Sequence, residues 1–595
     1  MKANSKHIMF AALVAGLAWS GCSDDGGTTP TPDAAAAPDA TPAPDAAPPD
    51  ATPPSLPGDW ADGVALTTLQ DMNADPDIVE VELEAKVAQI ELSPGVMTEM
   101  YTYNGVFPGP IIEVEKGQKL IVNFTNNLPE DTTIHFHGVE LPATMDGSNI
   151  AQAAVAANGG TFKYEFDTLN AATHWYHPHI RTNEQVEKGL YGALVIRDPA
   201  EDTTLGLPEA EVTLLLDDIL LATDGSIEPA FPTDPVANAA VMLNGREGNT
   251  FVVNGRKLPT IKALSGTPVR MRLINPANAR FFRVSIPGHT LHRIGGDAGL
   301  IAAPVARQAV DLVQDPDDNS QMISNPDADL GVLLVPGERA DVVFTPKGDA
   351  GDELFLEWHD IARGLHSTAD DGQGGVSFGD SAEDGKRASV QLVRFELLDG
   401  GNAQAAAYEP PATLRAVTAI DPNNAEVDPL NVTFGHTPPD NEGNVTFFAK
   451  VIPGTGGVPF DQLTPNDGLA AEVGKTYILE VVNLTGGDHP FHLHGFFFQH
   501  IETVFEDDNA TNETVQAASV ENKDSILIPA RPGAFGTTRT RVRLAVTFDD
   551  TGREGQVAAS GLTPQVDSSG GWVLHCHVLE HADRGMMTFI NLTAP

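Results

Sequence analysis

The chain has 595 residues, of which 41% are hydrophobic and 20% are charged, and its mean hydropathy is −0.14. This composition fits a soluble globular protein of about three or four domains, and it excludes a polytopic membrane protein and a wholly disordered chain. The 82 acidic residues outnumber the 35 basic residues, which gives a net charge of −47. Because such a field repels phosphate backbones, we expect no nucleic-acid partner.

The first 21 residues have the composition of an export signal. Lys2 and Lys6 precede an apolar run over 8–19 that is too short to span a bilayer. Gly21 and Cys22 follow, in an order typical of a bacterial lipoprotein processing site. We predict that residues 1–21 are removed and that Cys22 carries a lipid. The alternative is ordinary cleavage near this point, which leaves a free thiol.

Residues 22–57 are dominated by Asp, Ala, Pro, Thr and Gly, and no hydrophobic face can be built from them. This composition predicts an extended, acidic tether that is stiffened by proline. Behind a lipidated cysteine, the tether would hold a globular body away from a membrane surface. We therefore expect an exported protein on the periplasmic or cell-surface side, whose only membrane contact is its lipid anchor.

From about residue 60 onward, short runs rich in Val, Ile, Leu and Phe alternate with turns rich in Gly, Pro, Asn and Asp. Clear examples of such runs are 119–128, 270–276, 340–346 and 475–484. No long helical repeat accompanies them. The pattern predicts an all-β protein built from Greek-key sandwiches or barrels.

Two stretches of the chain look like the same module used twice. Residues 113–138 match residues 470–495, because both run from a turn through an apolar strand to an Asn-rich corner and a histidine strand. A middle copy, 265–289, has the same strand and corner but only His289 at its end. The repeat predicts three similar domains, with metal ligands in the first and third and a structural middle domain. We place these domains at residues 58–202, 203–405 and 406–595.

Eleven of the 18 histidines lie in four short windows of the sequence. These windows are His135–His137, His174–His179, His489–His494 and His575–His581. Each contains a His-x-His pair, and side chains two apart on a strand share one face. Four such pairs, with Cys576 inside one of them, predict metal binding and not ordinary packing.

Cys576 stands between His575 and His577, so its side chain faces away from both imidazoles on a strand. The thiolate and the imidazoles must then serve different centres, back to back. His489, Cys576 and His581 can form a trigonal set with Met586 as a weak axial thioether, which is the blue-copper arrangement. The remaining His-x-His pairs converge on an all-imidazole centre that also suits copper. Zinc is a weaker alternative, because eight imidazoles exceed one tetrahedral site.

The motifs HFHG, HWYHPH, HPFHLHG and HCHVLEHADRGMM occur here in the order found in multicopper oxidases. Residues 65 to 595 resemble the three-domain bacterial laccases and cuprous oxidases of that family. The resemblance implies three cupredoxin-like domains and four copper ions, one of type 1, one of type 2 and two of type 3. It assigns type 1 to His489, Cys576, His581 and Met586, type 2 to His135 and His492, and type 3 to His137, His177, His179, His494, His575 and His577.

The resemblance implies that type 1 copper oxidises the donor and that electrons pass through Cys576 to a trinuclear cluster that reduces O2 to water. We expect a monomeric laccase-like enzyme that couples oxidation of phenolic or aromatic donors to O2. The alternatives are a Cu(I) or Mn(II) oxidase acting in metal tolerance, and a non-catalytic copper-binding scaffold. The chain has only 11 methionines and no methionine-rich insert, which weakens the cuprous alternative. We therefore expect organic donors to reach the edge of the type 1 site, near the imidazole of His489 or His581.

Reduction of O2 consumes protons, and the family places an acid beside the trinuclear centre. Asp146 matches that acid, and we predict that it supplies protons; the alternative is that it merely forms a turn with Gly147. An acid that several bacterial relatives carry after the last type 1 histidine is Ala582 here. Asp583 follows it and is the reserve candidate for the proton role.

Two further features depart from the family pattern. An insertion over 553–571 precedes the last histidine motif, and we expect it near the copper-bearing end of the third domain. His174 stands where an aromatic residue is expected. We predict that it packs behind the metal ligands or lies at the surface, and that it points away from His177.

Overall fold

The computed structural model describes residues 55–595 except 316–319, 328, 364–384, 400–408, 507–511, 532–537 and 559–570. The expected signal, Cys22 and the tether up to residue 54 lie outside the described residues. Within the described part of the chain, no helix is long and apolar enough to cross a membrane.

The first group of strands forms two four-stranded sheets, in the orders β2-β1-β4-β6 and β3-β8-β7-β5. These strands are β1 (Ile78–Ser93), β2 (Val96–Tyr103), β3 (Gly109–Glu115), β4 (Lys119–Asn126), β5 (His135–His137), β6 (Gly160–Asp167), β7 (Ala172–His177) and β8 (Gly192–Arg197). Helix α1 (Thr182–Glu187) joins β7 to β8, and α2 (Pro199–Leu205) follows β8. On β4, Leu120, Val122 and Phe124 are buried, as expected for a strand that turns alternate residues toward a core.

The second group forms a six-stranded sheet, β10-β9-β12-β19-β14-β15, a five-stranded sheet, β11-β21-β20-β13-β18, and the hairpin β16-β17. Its elements are β9 (Glu211–Ile219), α3 (Pro235–Asn244), β10 (Thr250–Val253), β11 (Thr260–Leu264), β12 (Val269–Ile274), β13 (Phe282–Ser285), β14 (Leu291–Gly296), β15 (Gly299–Arg307), β16 (Leu312–Gln314), β17 (Met322–Ser324), β18 (Val332–Leu334), β19 (Arg339–Phe344), β20 (Glu353–His359) and β21 (Val390–Leu398). Helix α3 starts at Pro235 because the Asp234 side chain accepts hydrogen bonds from the N–H groups of Val236 and Ala237.

The third group forms a six-stranded sheet, β23-β22-β27-β32-β29-β30, a five-stranded sheet, β26-β34-β33-β28-β31, and the hairpin β24-β25. Its elements are β22 (Leu430–His436), β23 (Phe447–Phe448), β24 (Lys450–Ile452), β25 (Gly456–Val458), β26 (Leu469–Glu472), β27 (Thr476–Asn483), β28 (His489–Leu493), β29 (Phe498–Glu506), β30 (Glu513–Gln516), β31 (Ser525–Ile528), β32 (Arg539–Thr547), β33 (Trp572–Cys576), α4 (Leu579–Asp583) and β34 (Met587–Thr593). Short 3-10 turns occupy Asp62–Val64, Ala143–Met145, Pro422–Asn424, Phe460–Gln462 and Pro465–Asp467.

The strand inside each predicted repeat occupies the same place in its sheet. Strands β4, β12 and β27 pair in parallel with β1, β9 and β22, the first strand of each group. On their other side they pair antiparallel with β6, β19 and β32. The all-β fold class is therefore confirmed, and the domain limits at 202 and 405 stay predictions.

The apolar core explains which parts of the chain meet at the histidines. The first and third groups share one continuous cluster, which includes Phe124, Tyr176, Phe491 and Cys576. The second group has its own cluster around residues such as Trp358. The shared core brings the histidine strands of the first and third groups together.

Candidate metal centres

The four histidine windows lie on two antiparallel strand pairs. Strands β5 and β7 pair so that His135 lies opposite His177. Strands β28 and β33 pair so that His492 lies opposite His575 and Phe491 lies opposite Cys576. The two pairs meet across the shared core, which gathers eight imidazoles into one place.

The eight imidazoles form a single buried cluster. They belong to His135, His137, His177, His179, His492, His494, His575 and His577, each of which is at most 5% exposed. The rings of His135 and His494 stack with their centroids 3.8 Å apart, and those of His137 and His492 stack at 3.7 Å. Both stacks join the first group of strands to the third.

The hydrogen bonds of these rings show which nitrogen faces the cluster. The Nδ1 atoms of His135, His177, His492 and His575 each lie 2.7–2.9 Å from a backbone carbonyl oxygen, to which they donate. The Nε2 atoms of the first three of these rings are buried and have no hydrogen-bond partner in the described structure. Buried polar atoms are rarely left unsatisfied, and a metal-binding imidazole holds its other nitrogen in this way. The donor set therefore fits metal ions.

Three-membered sets of ligand atoms within 4.8 Å of one another occur inside the cluster. They are His135–His492–His494, His135–His137–His177 and His179–His494–His575. His577 belongs to none of these sets, but both its ring nitrogens are buried without a partner. Its ring centroid lies 5.0 Å from that of His137 and 5.7 Å from that of His177, which places it at the edge of the same cluster.

A second donor set consists of His489, Cys576 and His581. The Sγ atom of Cys576 lies 3.5 Å from each Nδ1 atom, and the two Nδ1 atoms are 3.2 Å apart. This near-equilateral triangle lets one ion contact all three atoms. Burial raises the pKa of the Cys576 thiol, so a thiolate at this position needs a cation beside it.

Met586 lies beside this triangle in the backbone structure. It is fully buried, its carbonyl oxygen accepts a hydrogen bond from the Cys576 N–H, and its own N–H donates to the His581 carbonyl. Gly585 permits this close packing, because its φ is +108° and a Cβ there would lie 2.5 Å from the Phe447 carbonyl oxygen.

The imidazoles of His489 and His581 are closed to direct contact with a donor. Their side chains are 0% and 2% exposed. His489 Nε2 hydrogen-bonds Thr485 Oγ1 at 2.7 Å, and His581 Nε2 donates to the Leu243 carbonyl oxygen at 3.1 Å. Leu243 belongs to α3, so a helix of the second group covers this centre.

Asp146 lies against the imidazole cluster. Its carboxylate accepts a hydrogen bond from His494 Nδ1 at 2.9 Å, and its carbonyl oxygen accepts one from His135 Nδ1 at 2.7 Å. Burial alone would raise the pKa of Asp146, but the His494 and His135 imidazoles hold it well below its usual range. Asp146 also ends a 3-10 turn, so it both forms part of a turn and contacts the imidazole cluster. The exposed Asp583 instead accepts a hydrogen bond from the Asn183 N–H in α1.

Sequence reasoning missed a second carboxylate at the cluster, that of Asp524. It lies 3.2 Å from His137 Nε2, and its carbonyl oxygen accepts a hydrogen bond from His492 Nδ1 at 2.9 Å. Arg339 of β19 donates to both its carboxylate oxygens, at 2.7 and 2.6 Å. In the sequence, the position of Asp524 directly before the apolar strand β31 could have indicated a buried acid.

His174 is a buried residue, and the insertion begins at another buried residue, Arg553. His174 is 1% exposed, and neither of its ring nitrogens has a partner in the described structure, so it is not a surface residue. Arg553 begins the insertion and donates to the carbonyl oxygens of Leu141 and Gly495 at 2.9 and 2.6 Å. Gly495 directly follows His494, so the insertion starts beside the cluster; its residues 559–570 lie outside the described part.

Comparison with known proteins agrees with this geometry. Three family models described as multicopper oxidase match residues 84–201, 215–312 and 436–592. The chain is 26% identical over 535 residues to multicopper oxidase MmcO of Mycobacterium tuberculosis (strain ATCC 25618 / H37Rv), a match that covers 86% of each protein. It is 26% identical over 565 residues to a laccase of Bacillus subtilis (strain 168), which covers 87% of this chain and 94% of the laccase.

Solved structures share the fold. A multicopper oxidase from Campylobacter jejuni, described as a metallo-oxidase, superimposes with a TM-score of 0.65 at 24% identity and covers 89% of this chain and 94% of its own. The McoA multicopper oxidase from Aquifex aeolicus gives a TM-score of 0.62 at 23% identity, covering 89% of this chain and 100% of its own. With its cupredoxin-like sheets, its two buried donor sets and these matches, the chain belongs to the multicopper oxidase family, and it is a copper-containing oxidoreductase that uses O2.

Proposed function

We propose that this protein is a laccase-like oxidase that removes single electrons from phenolic or aromatic donors and reduces O2 to water. One observation carries the proposal. His575, Cys576 and His577 are consecutive, so the cysteine of one donor set is covalently joined to two imidazoles of the other. Electrons accepted at the first set therefore have a short covalent path to the second.

We further propose that the chain holds four copper ions. Type 1 copper takes His489, Cys576 and His581 with Met586 as the axial ligand, and type 2 copper takes His135 and His492. The type 3 pair takes two sets of imidazoles, whose ring centroids lie 4.9–5.9 Å apart within each set. These sets are His137, His177 and His577, and His179, His494 and His575.

Copper in these sites would supply a one-electron acceptor at the thiolate and the redox equivalents for O2 reduction at the imidazoles. The protein keeps both sites dry, because every proposed ligand is at most 5% exposed. Asp146 and Asp524 hold the imidazoles in place by hydrogen bonds. Asp146 remains the carboxylate that we propose for proton supply, because its oxygens lie one hydrogen bond from His494 Nδ1.

A panel of reductants on the copper-loaded protein tests the proposal, with O2 uptake as the readout. The panel contains a methoxyphenol, an aromatic amine, Cu(I) and Mn(II). We expect kcat/KM for the phenol to exceed that for either metal. A strong preference for Cu(I) or Mn(II) would support a metal oxidase, and four bound coppers without O2 uptake would support a non-catalytic scaffold.

We also propose that the enzyme is an exported monomer anchored by a lipid on Cys22. The sequence of residues 1–57 supports this location. Membrane fractionation of cells that express the wild type or Cys22→Ser tests it. The wild type should sediment with membranes and the variant should be soluble, whereas equal partitioning of the two would rule out the anchor.

A further inference from the structure

The centre formed by His489, Cys576 and His581 is sealed on every nitrogen that could face outward. Thr485 and Leu243, which occupy the outer ring nitrogens, are themselves only 1% and 3% exposed. A donor of the size of a phenol therefore cannot touch either copper-binding ring. Electrons must enter through another side chain.

One aromatic side chain leads outward from this centre. Phe447 is fully buried and stacks on His581, with the ring centroids 4.4 Å apart and the planes at 26°. Its ring also packs against that of His436, at 5.7 Å and 50°. The second contact follows from the sheet register, since His436 ends β22 and pairs directly with Phe447 at the start of β23.

His436 lies at the outer end of this aromatic path and is only half-buried. Strand β22 also contributes Phe434, whose ring lies 5.6 Å from that of His489. Strand β22 therefore contacts His489, its partner strand β23 contacts His581, and His436 is the last residue of β22 before solvent-exposed chain.

The aromatic surface at the end of this path favours an aromatic donor. The His436 ring is only half-buried and already packs against the Phe447 ring, and aromatic molecules pack on such rings in offset or edge-to-face arrangements. The Arg363 guanidinium is paired with the Glu247 carboxylate at 3.2 Å, so its charge does not select between donors.

We propose that His436 is the docking residue for the electron donor and that Phe447 connects it to His581. This inference rests on the proposed oxidase function and names its donor as a planar aromatic molecule such as a methoxyphenol. The donor stacks on His436 and loses one electron to the oxidised centre of His489, Cys576 and His581. A phenol also releases its hydroxyl proton to water, which leaves a phenoxyl radical.

The first test compares His436→Ala with His500→Ala in the copper-loaded enzyme. His500 is another half-buried histidine of the same sheet, on β29, which β27 and β32 separate from β22. We expect His436→Ala to lower kcat/KM for a methoxyphenol at least tenfold, mainly through KM, and to keep the blue colour. His500→Ala should match the wild type. A wild-type kcat/KM in His436→Ala would overturn the inference.

The second test measures docking without turnover. Copper-free protein with isotope-labelled histidine side chains is titrated with a methoxybenzene, which has no hydroxyl group to oxidise. The NMR signals of the His436 ring should shift with ligand concentration, and those of His500 should stay in place. Docking at His436 would be contradicted if the His436 signals of the wild type did not shift. It would also be contradicted if signals of other histidines shifted equally in the wild type and in His436→Ala.

The third test concerns the path inward. Phe447→Leu should leave the KM for the phenol unchanged and slow anaerobic reduction of the blue centre at least threefold at saturating donor. The type 1 potential is measured in parallel, because the ring stacks on His581. An unchanged reduction rate at an unchanged potential would remove Phe447 from the path.

The same experiments separate the failure of this inference from the failure of the proposed function. If blue wild-type enzyme oxidises neither phenols nor aromatic amines, the proposed donor class is wrong. If the wild type oxidises phenols and the His436 variant does so equally well, only the docking site is wrong.

Discussion

At the scale of single residues, the buried thiol of Cys576 gives the most direct test of the metal assignment. Cys576→Ser removes the only thiolate from the triangle with His489 and His581. The variant should lose the blue charge-transfer band and keep the copper of the imidazole cluster. Visible absorption and metal analysis measure both. Wild-type protein that carries a single zinc and shows no such band would contradict the copper assignment.

Met586 offers a test of the axial position. A thioether donates electron density to the oxidised metal, and leucine of similar volume does not. Met586→Leu should therefore raise the type 1 potential while the fold survives, as measured by redox titration of the blue band. Met587→Leu is the matched control, since Met587 is the adjacent buried methionine. If only the control shifts the potential, the axial ligand is Met587.

Asp146 can be tested by removing its charge while keeping its shape. Asp146→Asn retains an oxygen that can accept from His494 Nδ1, so copper content and blue colour should persist. We expect turnover to slow at least tenfold, about 1.4 kcal/mol of barrier, with reduced copper accumulating in stopped-flow traces. Normal turnover in Asp146→Asn together with slow turnover in Asp583→Asn would transfer the proton role to Asp583.

At the scale of elements, β19 is joined to β12 and β7 through one carboxylate. Asp341 accepts from Arg270 at 2.6 Å, from Arg272 at 3.0 Å and from the Thr173 hydroxyl at 2.7 Å. Burial of the Asp341 carboxyl raises its pKa, but the attraction of the two guanidinium groups is larger and lowers the pKa to about 2. The ionised carboxylate therefore stabilises the contact between these strands.

Asp341→Asn should lower stability by about 3–5 kcal/mol at neutral pH, because it leaves two buried guanidinium groups short of a partner. The depressed pKa makes this contribution full above the ordinary value of about 4, and protonation removes it as the pH falls toward the folded value of about 2. Thermal unfolding midpoints of wild type and variant should therefore converge in acid. A constant difference from pH 7 to pH 2 would contradict this account.

The histidine elements could be predicted from sequence because strand alternation puts residues such as His575 and His577 on one face and Cys576 on the other. The ion pair of Asp524 and Arg339 could not be predicted, because it joins two groups of strands that no local sequence pattern relates. The cover over His581 was missed for the same reason. It comes from Leu243 in α3, which is 338 residues away in the chain.

At the scale of the whole molecule, the net charge of −47 should influence which donors arrive quickly. Its field attracts cations over distances that salt screens, with a Debye length of about 8 Å at physiological ionic strength. For two phenols that differ only in a trimethylammonium or carboxylate substituent, added salt should lower kcat/KM for the cation and raise it for the anion. Initial rates across a salt series measure this, and parallel responses would exclude steering by charge.

The imidazole cluster draws its ligands from both ends of the folded chain, as in the 3.8 Å stack of His135 on His494. A partly folded or truncated chain can therefore offer copper only fragments of the site, and metal should bind after the outer domains have docked. Bound copper then stabilises the folded chain, and the size of this stabilisation depends on the free copper concentration. Each tenfold rise in free copper above the dissociation constant adds about 1.4 kcal/mol per bound ion to the native state. The folded enzyme should therefore resist unfolding most strongly where free copper is plentiful.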